Sequence, residues 1–358
     1  MVELVRKERI DLLVSGGDIY ERASTSVERA FSSDWLIAMA DVCPVVVAKG
    51  NHDRHRDCEI LAKLRTRHPI HVEERAGVVV SGGVAVAAMA WPERASLLSE
   101  VGDTETTSNV MRDLTRDVLR GLGAELSRHD LPRVLLGHFM VDGSTTSTGQ
   151  PLLGMPINVS LNDLALAGAS LGVMGHIHKE QSFDVGGAPH LYVGSPFRTD
   201  FGQTERKVVV VAEFEGQKLV NLEYINTPCA DLYQFVYDWD GEAGFFTEGG
   251  VQVIEDMWPW LANSEVRLRY NVSASQREAA SRAANETADK MRELGAVMVK
   301  VEERLHVVHR ARAPEVATAN GIVAKLEAHW RSIGFDPGSR RESILRKAVQ
   351  LEMQARAS

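Results

Sequence analysis

Four short apolar runs in this chain each end in a loop that carries Asp, Asn or His. Leu12-Leu13-Val14 leads to Gly17-Asp18, and Val45-Val46-Val47-Ala48 leads to Gly50-Asn51-His52-Asp53. Val134-Leu135-Leu136 leads to Gly137-His138, and Leu171-Gly172-Val173-Met174 to Gly175-His176-Ile177-His178. Short apolar runs bounded by glycine read as buried strands. The stretch between the first two runs is helical, so the rhythm is strand–helix–strand and the fold class is a layered α/β core. In such folds the carboxyl ends of the strands open on ligand sites, which places all four loops at one edge.

The remaining elements fill in around these strands. Residues Val2 to Ile10 read as the end of an amphipathic helix. Another helix starts near Thr25, with Thr25-x-x-Glu28 as a capping box and Val27, Phe31, Trp35 and Met39 on one face. Residues 78–90 read as two strands around a Gly82-Gly83 turn, 104–128 as a helix, and Asp142 to Gly154 as a loop. Beyond residue 205 the character changes. A hairpin through Glu215-Gly216 joins Val208–Phe214 to Leu219–Ile225. Val266–Val272, a helix from Gln276 to Leu294 and Val297–Leu305 then form a separate strand–helix–strand unit. Helices over Glu315–Arg331 and Arg340–Ala355 close the chain, with Gly334 to Gly338 between them. The domains expected are therefore 1–225, 226–313 and 314–358.

Composition narrows the functions. The 358 residues are 44% hydrophobic and 25% charged, ordinary for a globular protein. A net charge of −9 gives no general attraction to nucleic acid, so a DNA surface would have to be local or supplied by a partner. Three scattered cysteines make neither a disulfide framework nor a zinc knuckle. No apolar run has the length of a membrane span and no signal-peptide pattern opens the chain, so a cytoplasmic setting is expected.

Asp18, Asn51, His138, His176 and His178, gathered at one edge, make a mixed carboxylate, amide and imidazole site. That donor set suits Mn²⁺, Fe²⁺ or Zn²⁺ better than Ca²⁺, and without thiolates it is not a structural zinc site. A carboxylate set between two cations can bridge them, the arrangement that serves phosphoester hydrolysis. Taken singly, Gly17-Asp18 also reads as a plain turn, and His176-x-His178 as strand alternation with one ring facing the site. Arg54 and Arg198 are candidate phosphate contacts or solvated loop residues. Lys300, Arg304, Arg310 and Arg312 are either a local basic surface or a solvated strand face. Trp258-Pro259-Trp260 reads as packing.

In order and spacing the four motifs resemble the calcineurin-like metallophosphoesterases, and within them the SbcD-type nuclease subunits of DNA double-strand-break processing complexes. Gly17-Asp18-Ile19-Tyr20-Glu21-Arg22, Gly175-His176-Ile177-His178-Lys179-Glu180-Gln181 and Tyr192-Val193-Gly194-Ser195-Pro196 with Phe201 carry that resemblance. It implies a β-sandwich flanked by helices, a small α+β capping domain and C-terminal ATPase-docking helices. It also implies two Mn²⁺ ions: Asp18 as the bridge, Asn51, His138 and His176 on the second ion, and His178 on the first. His52 takes the place of the catalytic histidine, with Glu21 where related phosphatases have an acid that orients it. The implied partners are DNA ends, an SbcC-type SMC-like ATPase bound through 314–358, and a second copy of the subunit in a homodimer. The apolar stripes Val316, Val323, Leu326, Trp330 and Ile344, Leu345, Ala348, Leu351 are the surfaces such docking would use.

One departure stands out. The family opens with a strand bearing Asp-x-His, which supplies two ligands to the first ion, and no such motif precedes Asp18. The expectation is a late start or a truncated chain; the alternative is a diverged member that holds one ion tightly. Three functions follow as hypotheses: an end-processing DNA nuclease subunit, a small-molecule phosphodiesterase or phosphatase of the same superfamily, and a catalytically impaired scaffold subunit.

Overall fold

The computed structural model describes residues 1–92, 104–147, 158–203, 205–239, 245–248, 251–252, 261–305 and 314–357. Trp258-Pro259-Trp260, His306, His309, Arg310, Arg312 and the loop residues 148–154 lie outside them. The chain divides into two compact units, Met1–Tyr233 with Leu261–Glu265, and Gln234–Trp260 with Val266–Ser358.

In the first unit, β1 (Leu13–Ser15), β2 (Val45–Ala48) and β3 (Ile70–Glu73) form a parallel sheet in that order. Its side chains alternate between two cores, as the two-residue period of a strand requires. Val45 and Val47 pack with Val5, Leu36, Met39 and Leu61 from α1 (Val2–Lys7), α2 (Ser26–Ala40) and α3 (His55–Ala62). Val46 and Ala48 face the other way, against Val86, Val134, Leu136, Leu171 and Leu191 of a second sheet.

That second sheet contains β4 (Ala76–Ser81), β5 (Val84–Met89) and β6 (Arg133–His138). After a short parallel pair, β7 (Met140–Val141) with β8 (Asn158–Val159), it takes in β9 (Leu171–Gly175), β10 (Gln181–Val185) and β11 (Ala188–Tyr192). Its order is β10-β11-β9-β6-β5-β4. Leu135 points outward, with Ala85, Ala87 and Tyr192, onto Leu119, Leu122 and Leu126 of α4 (Thr104–Leu126) and Leu164 of α5 (Leu161–Leu164). The hairpin β12 (Val208–Glu215) and β13 (Lys218–Asn226) adds Val210, Ala212, Phe214, Leu219 and Leu222 to the core between the sheets. The layers therefore run helix, sheet, sheet, helix. The four motif strands do not share one open sheet: β1 and β2 belong to one layer, β6 and β9 to the other.

The capping box forms as expected. Thr25 Oγ1 accepts from the Glu28 N–H at 3.2 Å, and the Glu28 carboxylate accepts from the Thr25 N–H at 2.6 Å. The face expected of that helix holds in its second half, where Met39 is buried and Trp35 packs against the core, and fails in its first: Val27 and Phe31 are each 76% exposed, and Ser32, Leu36 and Ala40 are buried instead. Two apolar stripes compete on this helix, and the sheet residues Val45 and Val47 select the later one.

In the second unit, β14 (Leu232–Asp238), β15 (Phe245–Glu248), β16 (Val251–Gln252), β17 (Glu265–Val272) and β18 (Met298–Leu305) form a sheet of order β16-β15-β14-β17-β18. Val266, Leu268, Tyr270 and Val272 of β17 are buried in strict alternation, and Ala280, Ala284, Ala288 and Met291 are buried at helical spacing along α6 (Arg277–Glu293). The single helix expected over Glu315–Arg331 is two, α7 (Pro314–Thr318) and α8 (Gly321–Ser332). Gly321 takes a φ of 81°, which a continuous helix does not allow. The last helix, α9 (Arg341–Ala357), leaves Leu351 and Met353 exposed. Lys300 and Arg269 both pair with Glu302 at 2.8 Å, so these cations belong to a self-neutralised strand face. Among the described residues no helix is long and apolar enough to cross a membrane.

Candidate metal centre

The two sheets meet at the ends of β1 and β9, and the backbone there is drawn tight. A Cβ added to Gly16 would lie 2.7 Å from the Gly175 nitrogen, so neither sheet edge tolerates a side chain at that contact. Asp18 and His176, the first polar residues past these strands, both have positive φ, 53° and 87°. Positive φ is uncommon away from glycine, and Asp and His are among the side chains that tolerate it best.

Asn51 arrives from the loop after β2 and His138 from the end of β6. The His138 Nδ1–H donates to the Gly16 carbonyl at 2.5 Å, which fixes the tautomer and leaves Nε2 of the neutral ring without a proton. That Nε2 lies 2.9 Å from Asn51 Oδ1 and 3.2 Å from Asp18 Oδ2. His176 Nδ1 is 2.8 Å from the same Asn51 oxygen. The ligand atoms of Asp18, His138 and His176 all lie within 4.8 Å of one another. The unprotonated Nε2 of His138 faces only acceptor oxygens, those of Asn51 and Asp18, and His138 is fully buried, so solvent cannot relieve the repulsion there. A positive charge is what this cluster lacks. Carboxylate, amide and two imidazoles are donors suited to a divalent transition ion, so the residues present fit one.

Burial works to raise the Asp18 carboxyl, while the His52 N–H donates to it and favours the ionised form. Burial, with His138 next, pushes His176 down to about 4, so its lone pair is available at neutral pH. Trp91 stacks on His176 with centroids 4.9 Å apart, fixing the ring's plane.

His52 stands beside this cluster. Its backbone N–H donates to Asp18 Oδ1 at 2.9 Å, and its ring Nδ1 is 2.7 Å from the Glu21 main-chain carbonyl. The nitrogen that meets a carbonyl oxygen carries the proton, so Nε2 is left for chemistry. Glu21 thus reaches His52 through its carbonyl, where the sequence pointed to its carboxylate. Asp53, 3% exposed, accepts from the Tyr20 N–H and the Gly50 N–H, each at 3.0 Å. One carboxylate therefore ties the Asp18 loop to the Asn51 loop, a role that the motif Gly50-Asn51-His52-Asp53 contained but did not reveal.

His178 stands apart from the clustered donors. Its Nδ1 lies 3.1 Å from Gln203 Nε2 and 3.2 Å from Thr199 Oγ1, and its carbonyl accepts from Lys207 Nζ at 2.9 Å. Thr199, Gln203 and Lys207 carry no motif, and nothing in their spacing marks them. Arg198 donates through Nη1 to the Ala230 carbonyl at 3.0 Å and pairs with Asp231 at 3.3 Å, so it buttresses the loop after Pro196.

Among solved structures, the phosphopantetheinyl hydrolase of Mycobacterium tuberculosis is similar at 17% identity, over 51% of this chain and 78% of that one, with a TM-score of 0.31. A search of curated proteins gives no match. A family model of calcineurin-like phosphoesterases matches residues 1–180, the segment that brings Asp18, Asn51, His52, His138 and His176 together. With half of its 358 residues matched and those donors converging at the seam of its two sheets, the chain belongs to the calcineurin-like phosphoesterase family.

Proposed function

We propose that this chain is the metal-dependent nuclease subunit of an SbcD-type DNA end-processing complex, hydrolysing phosphodiester bonds in repair or recombination. The observation that carries the hydrolytic part is the convergence of Asp18 Oδ2, Asn51 Oδ1, His138 Nε2 and His176 Nδ1. These four residues would hold a divalent ion, Mn²⁺ in this reading. Such an ion supplies Lewis-acid polarisation of the phosphoryl group and a nucleophile at neutral pH. His52, its Nδ1–H held by the Glu21 carbonyl, would give the Nε2 proton of its imidazolium form to the leaving oxygen and return to the neutral ring. Asp53 keeps the loops of Asp18 and Asn51 in register. Trp91 shields one face of the His176 ring from water.

The DNA part rests on the Gly194-Ser195-Pro196 loop and on the α+β unit and helices that follow the phosphoesterase segment. In this reading 1–225 is the catalytic domain, 226–313 caps it, and 314–358 docks an SbcC-type ATPase through apolar residues such as Leu351 and Met353. The subunit works in the cytoplasm as a homodimer, and the ATPase supplies the positive surface that a chain of net charge −9 lacks. The test is the full chain with Mn²⁺ on linear duplex DNA and on bis-p-nitrophenyl phosphate. Nucleotide release that chelation abolishes is the expected result. Hydrolysis of the small ester alone would overturn the DNA reading and favour a small-molecule phosphodiesterase. Activity on neither, with ATPase binding retained, would leave a scaffold subunit.

A further inference from the structure

His176 carries its ring to the cluster on a backbone with a φ of 87°. Such a conformation persists where the flanking chain is held on both sides. On the near side Gly175 is wedged against the Gly16 backbone. On the far side the support falls on one atom, the His178 carbonyl oxygen. It accepts from the Ser195 N–H at 3.2 Å and from Lys207 Nζ at 2.9 Å. Gly194 packs on the same oxygen: its φ is 82°, and an added Cβ would lie 2.7 Å away.

Lys207 is the unusual member of this group. It stands just ahead of β12, with a side chain 1% exposed, and its own carbonyl accepts from the Thr227 N–H at 2.9 Å. A buried ammonium is costly unless it is paired and all three of its hydrogens are used. Here they go to the His178 carbonyl, Ser195 Oγ and Glu205 Oε1, each at 2.9 Å. Glu205 Oε1 also accepts from Ser147 Oγ at 2.9 Å. The Gln181 side chain meets the same stretch, trading hydrogen bonds with the Thr145 N–H and carbonyl, both at 3.0 Å. One buried cation therefore ties the His178 loop, the turn at Ser195 and, through Glu205, the stretch after β7 into a single frame.

We propose that Lys207 is a positioning residue for the metal centre: by pinning the His178 carbonyl, it holds the turn that aims the His176 ring at Asn51 Oδ1. That ring has little tolerance, with Nδ1 2.8 Å from the Asn51 oxygen on one side and Trp91 stacked 4.9 Å away. The proposal deepens the phosphoesterase reading and rests on it for what the centre does.

Two readouts test it in the full chain: calorimetry of Mn²⁺ binding, and NMR of the His176 ring protons in metal-free protein, where the Trp91 ring current marks the stacked position. Lys207→Met is expected to weaken Mn²⁺ binding by about tenfold, the lower end of the loss on removing an outer-shell partner, and to shift the His176 signals as the stacking loosens. Gly194→Ala pushes on the same carbonyl without touching a charge and should produce both changes. Arg116→Ala, which breaks the ion pair with Asp163 between α4 and α5, should lower the urea midpoint and move neither readout. A folded Lys207→Met with wild-type affinity and unmoved His176 signals would overturn the proposal and leave Lys207 a stability role alone. If Lys207→Met does not fold, Gly194→Ala decides, and wild-type behaviour there overturns it equally. Absence of Mn²⁺ binding in the wild type would instead sink the metal-dependent reading, while the metal-free His176 signals still decide the role of Lys207.

Discussion

The two sides of the cleft handle their histidines in opposite ways. On the side of Asp18, Nε2 of His138 faces oxygens that cannot donate, its only proton being spent on the Gly16 carbonyl. On the side of His178, the ring nitrogen meets an amide N–H and a hydroxyl. The first side is unsatisfied without a cation; the second is satisfied by the protein itself. Donor identity alone therefore does not make a metal ligand. What decides is whether the neighbours of a ring nitrogen leave its lone pair unclaimed.

Substitutions on the two sides should part company. Asp18→Ala is expected to weaken Mn²⁺ binding by more than about 100-fold, beyond the loss that follows removal of an outer-shell partner, and to abolish hydrolysis. His178→Ala should change Mn²⁺ affinity by less than about threefold, far below that outer-shell scale, while raising KM. Isothermal titration calorimetry separates the two, and equal losses would erase the contrast. His52→Gln comes next: kcat should fall about 10²- to 10⁴-fold with metal affinity unchanged, because the ring moves a proton and only its backbone touches Asp18.

Asp53→Ala strands two N–H groups, each at a cost of about 1–3 kcal/mol, and should lower the urea midpoint as well as metal affinity. A smaller effect belongs to pH. His176 has its folded-state value pushed from 6.5 down to about 4, so the unfolded chain binds the proton more readily. Its contribution is fully present above pH 6.5 and is lost as pH falls towards 4. Metal-free protein should therefore lose stability across that window, and His176→Gln should flatten the slope. Smallest of all, Arg198→Ala should cost about 1 kcal/mol or less, since its partner Asp231 is solvent-exposed, and should leave Mn²⁺ binding untouched.

Much of this was legible in the sequence because it is written in local patterns. Glycine followed by a polar residue after each apolar run marks where a strand opens on the site, and Thr25 with Glu28 marks a helix start. The Gly82-Gly83 turn and the strand–helix–strand of the second unit are equally local. What escaped depends on long-range choice. Which stripe of α2 faces inward is decided by Val45 and Val47, so Val27 and Phe31 misled. Which sheet each motif strand joins is decided by pairing partners far along the chain. Gln203, Thr199 and Lys207 act on a residue more than twenty positions away, and no spacing rule reaches that far.

The contact between Gly16 and Gly175 has a mechanical consequence. Ligands from one sheet and ligands from the other face each other across it, so the separation of the two backbones is also the calibre of the metal cavity. An ion of a different radius would therefore load that backbone contact as well as the ligand side chains. Gly16→Ala would then alter the metal position through the backbone, with every ligand side chain left in place.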